Sequence, residues 1–326
     1  MIPGRRIVIR SFGGPEVIET GDFTPARPGA GEILVANRAI GVNFIDTYFR
    51  TGLYPQPLPG GLGSEAAGIV EAVGPDVDMF QPGDRVAYVS NYPGAYATHH
   101  LMPADRVIPL PDDIDFEVAA AAMLKGMTAA SLAEDCARMQ AGQSALVHSA
   151  AGGVGSILVP WLKDMGVTVI AHAGNAEKAD MARKAGADHA LFGPFDSLAN
   201  DVKTANEGKG VDVVFDGVGK DSWAASLASL RPRGLMVTFG NASGPVPPIS
   251  VLDLSRGGAL FLTRPTLFAY IATPEEYRDL AARLFDRIRR GIVRIDIGQS
   301  FALSDAAEAH KALEGRRTTG STILLP

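Results

Sequence analysis

One cysteine, Cys136, stands in 326 residues, so the chain can form no internal disulfide and no zinc site built on several thiolates. Tryptophan is almost as scarce, with two residues, and aromatics reach only 7%. Basic charge is short as well: 30 Lys and Arg against 36 Asp and Glu leave a net charge of −6. An acidic chain without a basic, aromatic-interleaved stripe is a poor fit to nucleic acid or to an anionic membrane. No uncharged span of about 20 apolar residues occurs, and the N-terminal MIPGRRIVIR lacks the continuous apolar core of a leader. Repeats and low-complexity segments are missing too. At 46% hydrophobic and 20% charged, what remains is an ordinary globular chain, expected in the cytoplasm, whose length calls for two domains.

What is present centres on Ser144 to Lys178. A β-branched, apolar run (Ala145, Leu146, Val147) leads into the turn Ala150-Ala151-Gly152-Gly153-Val154-Gly155. Apolar residues then recur at Val154, Ile157, Leu158, Trp161, Leu162 and Met165, the spacing of one helix face. A second apolar strand spans Val167 to Ala171. Strand, glycine turn, helix and strand within about 30 residues form the context in which a glycine fingerprint signals a dinucleotide. Gly152 lets the backbone approach a pyrophosphate, Gly155 lets helix pack on strand, and the helix's unpaired N–H groups face the anion. Ala150 replaces the first glycine of the pattern, so a tight turn that binds nothing is the alternative. Past the last glycine, Gly174-Asn175-Ala176-Glu177-Lys178 offers no acid at the strand end for a ribose 2′-hydroxyl. Lys178 is placed to meet a 2′-phosphate, which favours NADP(H) over NAD(H).

Upstream, Arg6 to Arg10, Glu32 to Ile40, Ala67 to Val73 and Asp84 to Val89 are short β-branched runs between Gly, Pro and Asp punctuation. From Phe116 to Arg138 alanine dominates, a helical passage. Downstream, strands are expected at 190–192, 211–215, 234–239 and 259–263, with helices at 176–185, 197–206 and 221–230. That alternation implies a parallel, doubly wound sheet with ligands at its carboxyl ends, so Gly217 and the segment Phe239-Gly240-Asn241 should border the cofactor. Pro160 should kink the fingerprint helix. In the tail, 275–290 reads as an amphipathic helix with a solvated basic face (Arg278, Arg283, Arg287, Arg289, Arg290). Residues 292–297 alternate like a strand, 305–313 look helical, and 322–325 close the chain as a strand.

Several long stretches carry a resemblance: FGGPEV (12–17), GVNFIDTYFRTGLYP (41–55), GLGSEAAGIVEAVG (61–74), LKGMTA (124–129), HSAAGGVGS (148–156), RGLMVTFGNASG (233–244), TRPTL (263–267) and GRRTTGSTILLP (315–326). Together they are similar, nearly end to end, to the zinc-independent quinone oxidoreductases of the medium-chain dehydrogenase/reductase superfamily, the zeta-crystallin group among them. The resemblance implies an α/β protein in which a Rossmann domain is inserted into a GroES-like, β-rich catalytic domain. The expected boundaries are 1–122 and 266–326 for the catalytic domain and 123–265 for the nucleotide domain. It also implies a homodimer through the Rossmann sheet edge, for which Ala259 to Thr263 is the candidate.

In zinc-dependent relatives the metal takes Cys and His from two N-terminal motifs that read here Asn43-Phe44-Ile45-Asp46 and Gly63-Ser64-Glu65. Asp46 and Glu65 alone do not supply the usual nitrogen and sulfur set, and adjacent His99 and His100 face opposite ways in an extended segment, so no metal is expected. The implied chemistry is hydride transfer from NADPH to a quinone, a small molecule that needs no Lewis acid. The resemblance puts Asn43, Ile45 and Asp46 around the nicotinamide and ribose, with Tyr48 and Tyr54 lining the quinone cleft; Asn43, Asp46, Tyr48 and Tyr54 are the catalytic candidates. Lys125 and Thr128 in the LKGMTA stretch, Gly152, Gly153, Val154, Gly155, Gly174, Lys178, Arg264 and Arg316 complete the cofactor set. Two departures stand out. Phe192-Gly193-Pro194-Phe195 lacks the tyrosine that relatives carry near the 2′-phosphate, so either the preference for NADP is weakened or Phe195 stacks in its place. Ala130-Ser131 replaces aromatics after LKGMTA. Alternatives are an enal or enone double-bond reductase, or a non-catalytic NADPH-binding protein acting as a sensor, store or RNA binder.

Overall fold

The computed structural model describes residues 3–315 and 317–326, so Arg316 lies outside the described residues. The chain divides into two compact units: Met1–Lys125, Thr273–Ala281 and Ile295–Pro326 form the first, and Gly126–Ala272 with Ala282–Arg294 the second. In chain order the elements begin with β1 (Gly4–Val8), β2 (Glu19–Phe23), β3 (Glu32–Val42), α1 (Phe44–Thr51), β4 (Glu65–Val73) and β5 (Arg85–Val89). Next come β6 (His99–Pro103), β7 (Ile108–Pro109) and α2 (Phe116–Ala130), which a π-helical turn extends to Cys136. The span Phe116–Cys136 is long and apolar enough to cross a membrane, but 78% of its most apolar window is buried inside the protein, as for a core helix.

The second unit alternates β8 (Ser144–His148), α3 (Gly155–Asp164), β9 (Thr168–Ala173), α4 (Ala176–Lys184), β10 (His189–Phe192), α5 (Phe195–Ala205), β11 (Val211–Asp216) and α6 (Trp223–Ser229). It continues with β12 (Leu230–Thr238), α7 (Val251–Arg256), β13 (Phe261–Thr263) and α8 (Leu267–Tyr270). Its strands pair in parallel in the order β10-β9-β8-β11-β12-β13, the doubly wound Rossmann order with its switch point between β8 and β11. These strands read as unbroken apolar runs because helices cover both faces; every residue of β8 is buried. Strand β12 starts four residues before the expected Gly234 and β13 two after Ala259. Helix α3 continues through Pro160.

After α9 (Pro274–Arg289), the chain adds β14 (Ile297–Ala302), α10 (Ala306–Glu314) and β15 (Ser321–Leu325). In the first unit the long β3 pairs antiparallel with β4 on one side and with β6 and β15 on the other, giving the order β14-β15-β3-β4-β5-β7. Its core draws Ile7, Ile33, Ile40 and Tyr88 from the early strands and Leu303 and Leu324 from the tail. Alternation at 292–297 does not make a strand; β14 starts at Ile297, where Gln299 Nε2 reaches Thr322 Oγ1 (2.7 Å) on β15.

The basic face expected on α9 is solvated only in part: Arg289 and Arg290 are exposed, whereas Arg283 and Arg287 are not. Within the second unit, Arg283 meets Glu134 (2.6 Å) and Asp135 (3.1 Å), and Arg287 meets Glu134 (2.7 Å) and Asp164 (3.4 Å). The Arg287 guanidinium also lies 4.1 Å from the Trp161 ring centre, a cation–π contact. Their partners lie more than a hundred residues upstream, which a helical-wheel reading of 275–290 does not see.

Candidate active site and nucleotide site

In the second unit the glycine turn sits at the carboxyl end of β8. The left-handed backbone falls on Ser149 (φ 50°) rather than on Ala150, which is buried; this is why the first glycine of the pattern is dispensable here. Gly155 is required sterically. A Cβ there would collide with the Ser149 carbonyl oxygen and come within 2.7 Å of Ala150 Cα. A Cβ on Gly152 meets only the Ser149 oxygen, at 3.0 Å. Gly153 and Val154 follow half-exposed, and Ser156 Oγ returns to the Gly153 carbonyl (3.2 Å).

The neighbouring strand ends gather the other sequence-predicted positions. Exposed Gly174 follows β9, and Asn175 caps α4 by accepting from the Lys178 N–H (2.9 Å). This fixes the first turn that carries Lys178. Gly217 follows β11 and Gly240 follows β12; a Cβ on Gly240 would strike the Gly217 backbone, and one on Gly217 would stand 3.0 Å from the Phe239 ring. Asn241 lies next in chain. Arg264, after β13, donates to Gly240 O (2.9 Å) and Thr238 Oγ1 (3.2 Å), so it ties two strand ends together.

Beneath them lies a polar core that sequence reasoning missed. Buried Asp216 accepts from Ser222 (2.6 Å), Ser226 (2.7 Å) and the N–H groups of Val218 (2.8 Å) and Gly219 (3.0 Å), fixing the Gly217 loop. Ser226 also meets His148 Nε2 (2.9 Å). Burial pulls the His148 pKa down to about 4. Phe195 packs on His172 and His148, with ring centres 5.0 and 5.8 Å apart. Its ring is thus held in place by two histidines of its own unit.

In the first unit, the passage from β3 into α1 sets Asn43 and Asp46. Asn43 caps the helix from an extended backbone, and its N–H donates to Asp46 Oδ2 (2.8 Å). Its side-chain amide donates to Glu65 Oε1 (2.7 Å). Glu65, fully buried, also accepts from the Leu124 N–H (2.6 Å) and Lys125 Nζ (3.2 Å). Gly41 makes room for that carboxylate, since a Cβ there would overlap Glu65 Oε1. Further along α2, already in the second unit, the Thr128 carbonyl accepts from Ser131 Oγ (3.0 Å). Ile45 is half-buried on α1.

Asp46 is fully buried and turned inward. It accepts from Ser64 Oγ (3.1 Å) and Tyr96 OH (3.0 Å) besides Asn43. Burial, with a contribution from the nearby Glu65 charge, lifts its pKa to about 7 against these hydrogen bonds. Tyr48 and Tyr54 come together edge to face, ring centres 5.3 Å apart, and Phe49 meets Tyr54 at 5.7 Å. Tyr54, Phe49, Gln56 and Tyr92 line a cavity of about 570 Å³ to which, among the described residues, no charged side chain contributes. Its size suits a small organic molecule.

Comparison with known proteins places this geometry. Residues 29–112 match the alcohol dehydrogenase GroES-like domain and 153–287 the family described as zinc-binding dehydrogenase. A quinone oxidoreductase of Pseudomonas aeruginosa is 50% identical, covering 99% of both chains. The chain belongs to the quinone oxidoreductase family. It is thus a member of the medium-chain dehydrogenase/reductase superfamily, with a Rossmann sheet and a GroES-like domain. The crystal structure of the Escherichia coli quinone oxidoreductase complexed with NADPH superposes with a TM-score of 0.96 at 45% identity, covering 99% of this chain and 100% of that one. A 2-haloacrylate reductase of Burkholderia is 42% identical over 98% of each chain.

Zinc does not fit the residues present. Asp46 and Glu65 are each already engaged by three donors of their own unit. His99 pairs with Glu71 (2.8 Å) and His100 with Tyr88 (3.0 Å). Among the described residues no group of three or more His, Cys, Asp or Glu could hold a metal ion.

Proposed function

We propose that this protein is an NADPH-dependent quinone reductase that moves a hydride to an uncharged quinone without a metal. One observation carries the reading: a glycine turn whose Gly155 admits no side chain opens α3 at the switch point of a Rossmann sheet, in a chain 50% identical to a quinone oxidoreductase. The residues fit NADPH. Gly152, Gly153, Val154 and Gly155 present N–H groups to the pyrophosphate, and the cap by Asn175 sets Lys178 for the 2′-phosphate. Gly174, Gly217, Phe239, Gly240 and Asn241 border the nucleotide, and Arg264 braces that border. When bound, NADPH supplies the hydride. In the first unit, Asn43, held through Glu65 and Asp46, Ile45 and Lys125 meet the nicotinamide end; Thr128, in the second unit, completes the cofactor set. Tyr48 and Tyr54 donate hydrogen bonds to the acceptor oxygen as it gains charge.

The catalytic domain corresponds to the first compact unit and the nucleotide domain to the second, which also takes in Ala282–Arg294 from the tail. The protein works as a cytoplasmic homodimer joined at the β13 edge, without a nucleic-acid or membrane partner. Exposed Val251, Leu252 and Phe261 support that face. A second reading, reduction of activated carbon–carbon double bonds, is favoured by the 2-haloacrylate reductase likeness. Rates with NADPH on 1,4-benzoquinone, 9,10-phenanthrenequinone and 2-alkenals separate the two; fast alkenal turnover without quinone turnover refutes the first. Lys178→Ala should raise the KM for NADPH at least tenfold and leave that for NADH unchanged. Equal effects would remove Lys178 from the phosphate role.

A further inference from the structure

Two pairs of residues, four apart on their helices, interlock in the first unit. Helix α1 carries Asp46 and Arg50, α10 carries His310 and Glu314, and Tyr96 bridges them. Arg50 holds Glu314 through two hydrogen bonds (2.7 and 2.9 Å) and the Gly13 carbonyl through Nε (3.0 Å). Arg50 Nη1 meets His310 Nδ1 (3.0 Å), His310 Nε2 meets Tyr96 OH (3.2 Å), and Tyr96 OH reaches Asp46 Oδ2 (3.0 Å). Asp46, Arg50, Tyr96 and His310 are all at most 1% exposed.

The direction of this string follows from one fact. Arginine only donates, so His310 Nδ1 must accept. Its proton then sits on Nε2 and points at the Tyr96 oxygen, which leaves the phenol proton for Asp46. Burial and the Arg50 charge hold the His310 pKa near 3, in keeping with a neutral ring of that tautomer. The string therefore ends in a donor on the same Oδ2 that receives the Asn43 N–H.

We propose that Arg50, His310 and Tyr96 are positioning residues that orient Asp46, and through it the Asn43 turn, so that the nicotinamide site is built only while Asp46 is ionised. This rests on the functional reading above, which puts Asn43 at the nicotinamide end. Every charged or titratable group facing Asp46 fits the scheme. Glu65 on β4 opposes its ionisation and is itself paired with Lys125; Tyr96 and Ser64 favour it; and Arg50 and His310 act along the string.

Two readouts test this, one of them independent of turnover. In protein labelled with 13Cγ-aspartate, the resonance lost in Asp46→Asn should titrate near pH 7 in the native chain. It should titrate about one unit higher in Tyr96→Phe, which removes one donor. His310→Leu should move it likewise. His310→Gln should not, since an amide can accept from Arg50 and donate to Tyr96. Tyr88→Phe is the control, a buried phenol bonded to Asn37 and His100 outside the string. The pH dependence of kcat/KM for NADPH should follow the same order, with the ascending limb moving up in Tyr96→Phe and His310→Leu only. An unmoved Asp46 titration in either variant overturns the string. A moved titration with an unmoved NADPH profile overturns its positioning role. Absence of quinone reduction by the native protein, with the titrations behaving as stated, overturns the functional reading and not the string.

Discussion

Alanine at Gly152 and alanine at Gly155 should damage different things. At Gly155 the new methyl has nowhere to go, because it meets the Ser149 carbonyl and Ala150 Cα, both backbone. Helix α3 must then retreat from β8, and overpacking against atoms that cannot rotate away sits at the upper end of the usual cost, about 3 kcal/mol. At Gly152 the single close neighbour, 3.0 Å away, needs to give by only a few tenths of an ångström, for about 1 kcal/mol or less. Yet that methyl occupies ground where the pyrophosphate must approach, and a tenfold loss of NADPH affinity, about 1.4 kcal/mol, is the least expected. The assay is favourable because both tryptophans, Trp161 and Trp223, lie in the second unit. Urea unfolding followed by tryptophan fluorescence therefore reports the unit that carries the mutation. Gly155→Ala should lower the transition midpoint strongly. Gly152→Ala should leave it nearly in place while the dissociation constant for NADPH rises. Equal midpoint losses, or wild-type NADPH binding by Gly152→Ala, would refute the steric reasoning.

Arg287→Ala removes contacts to Glu134, Asp164 and the Trp161 ring. It should cost about 2–3 kcal/mol in the tryptophan-detected transition, with NADPH affinity unchanged by titration. Acidification should weaken the second unit by on the order of 3 kcal/mol between pH 6.5 and 4, seen as a falling urea midpoint. His148 is held neutral with its pKa depressed to about 4, so the unfolded chain takes up a proton that the folded one refuses. In the first unit Asp46 runs the other way: with its pKa raised to about 7, it adds stability as pH falls from 7 toward 3.8. Phe261→Glu, on the exposed edge strand β13, should convert a dimer to monomers by light scattering; unchanged mass would move the interface elsewhere.

The Rossmann half was legible because its strands are buried on both faces, so β8, β9 and β11 appear as apolar runs between glycine turns. Helix α1 was not. In GVNFIDTYFRTG the buried residues of the helix are Asp46, Thr47, Tyr48 and Arg50, so mostly polar positions mark the buried face and the usual apolar periodicity is missing. The Arg283 and Arg287 network and the Asp216–Ser226–His148 cluster depend on partners distant in sequence, which local spacing does not reveal. The Tyr48–Tyr54 pair was found through resemblance, whereas the inward turn of Asp46 needed the positions of Ser64 and Tyr96.

Strand β15 has a consequence for the order of events during synthesis. Thr322 and Leu324 pair with Val42 and Ile40, and β14 joins the sheet only through β15. As the chain leaves the ribosome, nearly all of the Rossmann unit is available as one continuous segment, while the sheet of the first unit still lacks a flank. The early strands must therefore wait with the Ile40–Val42 end of β3 uncovered on the side where β6 covers only Glu32–Ala36. A ribosome stalled before residue 321 would carry that bare edge, the kind of surface a chaperone holds until the last strand arrives.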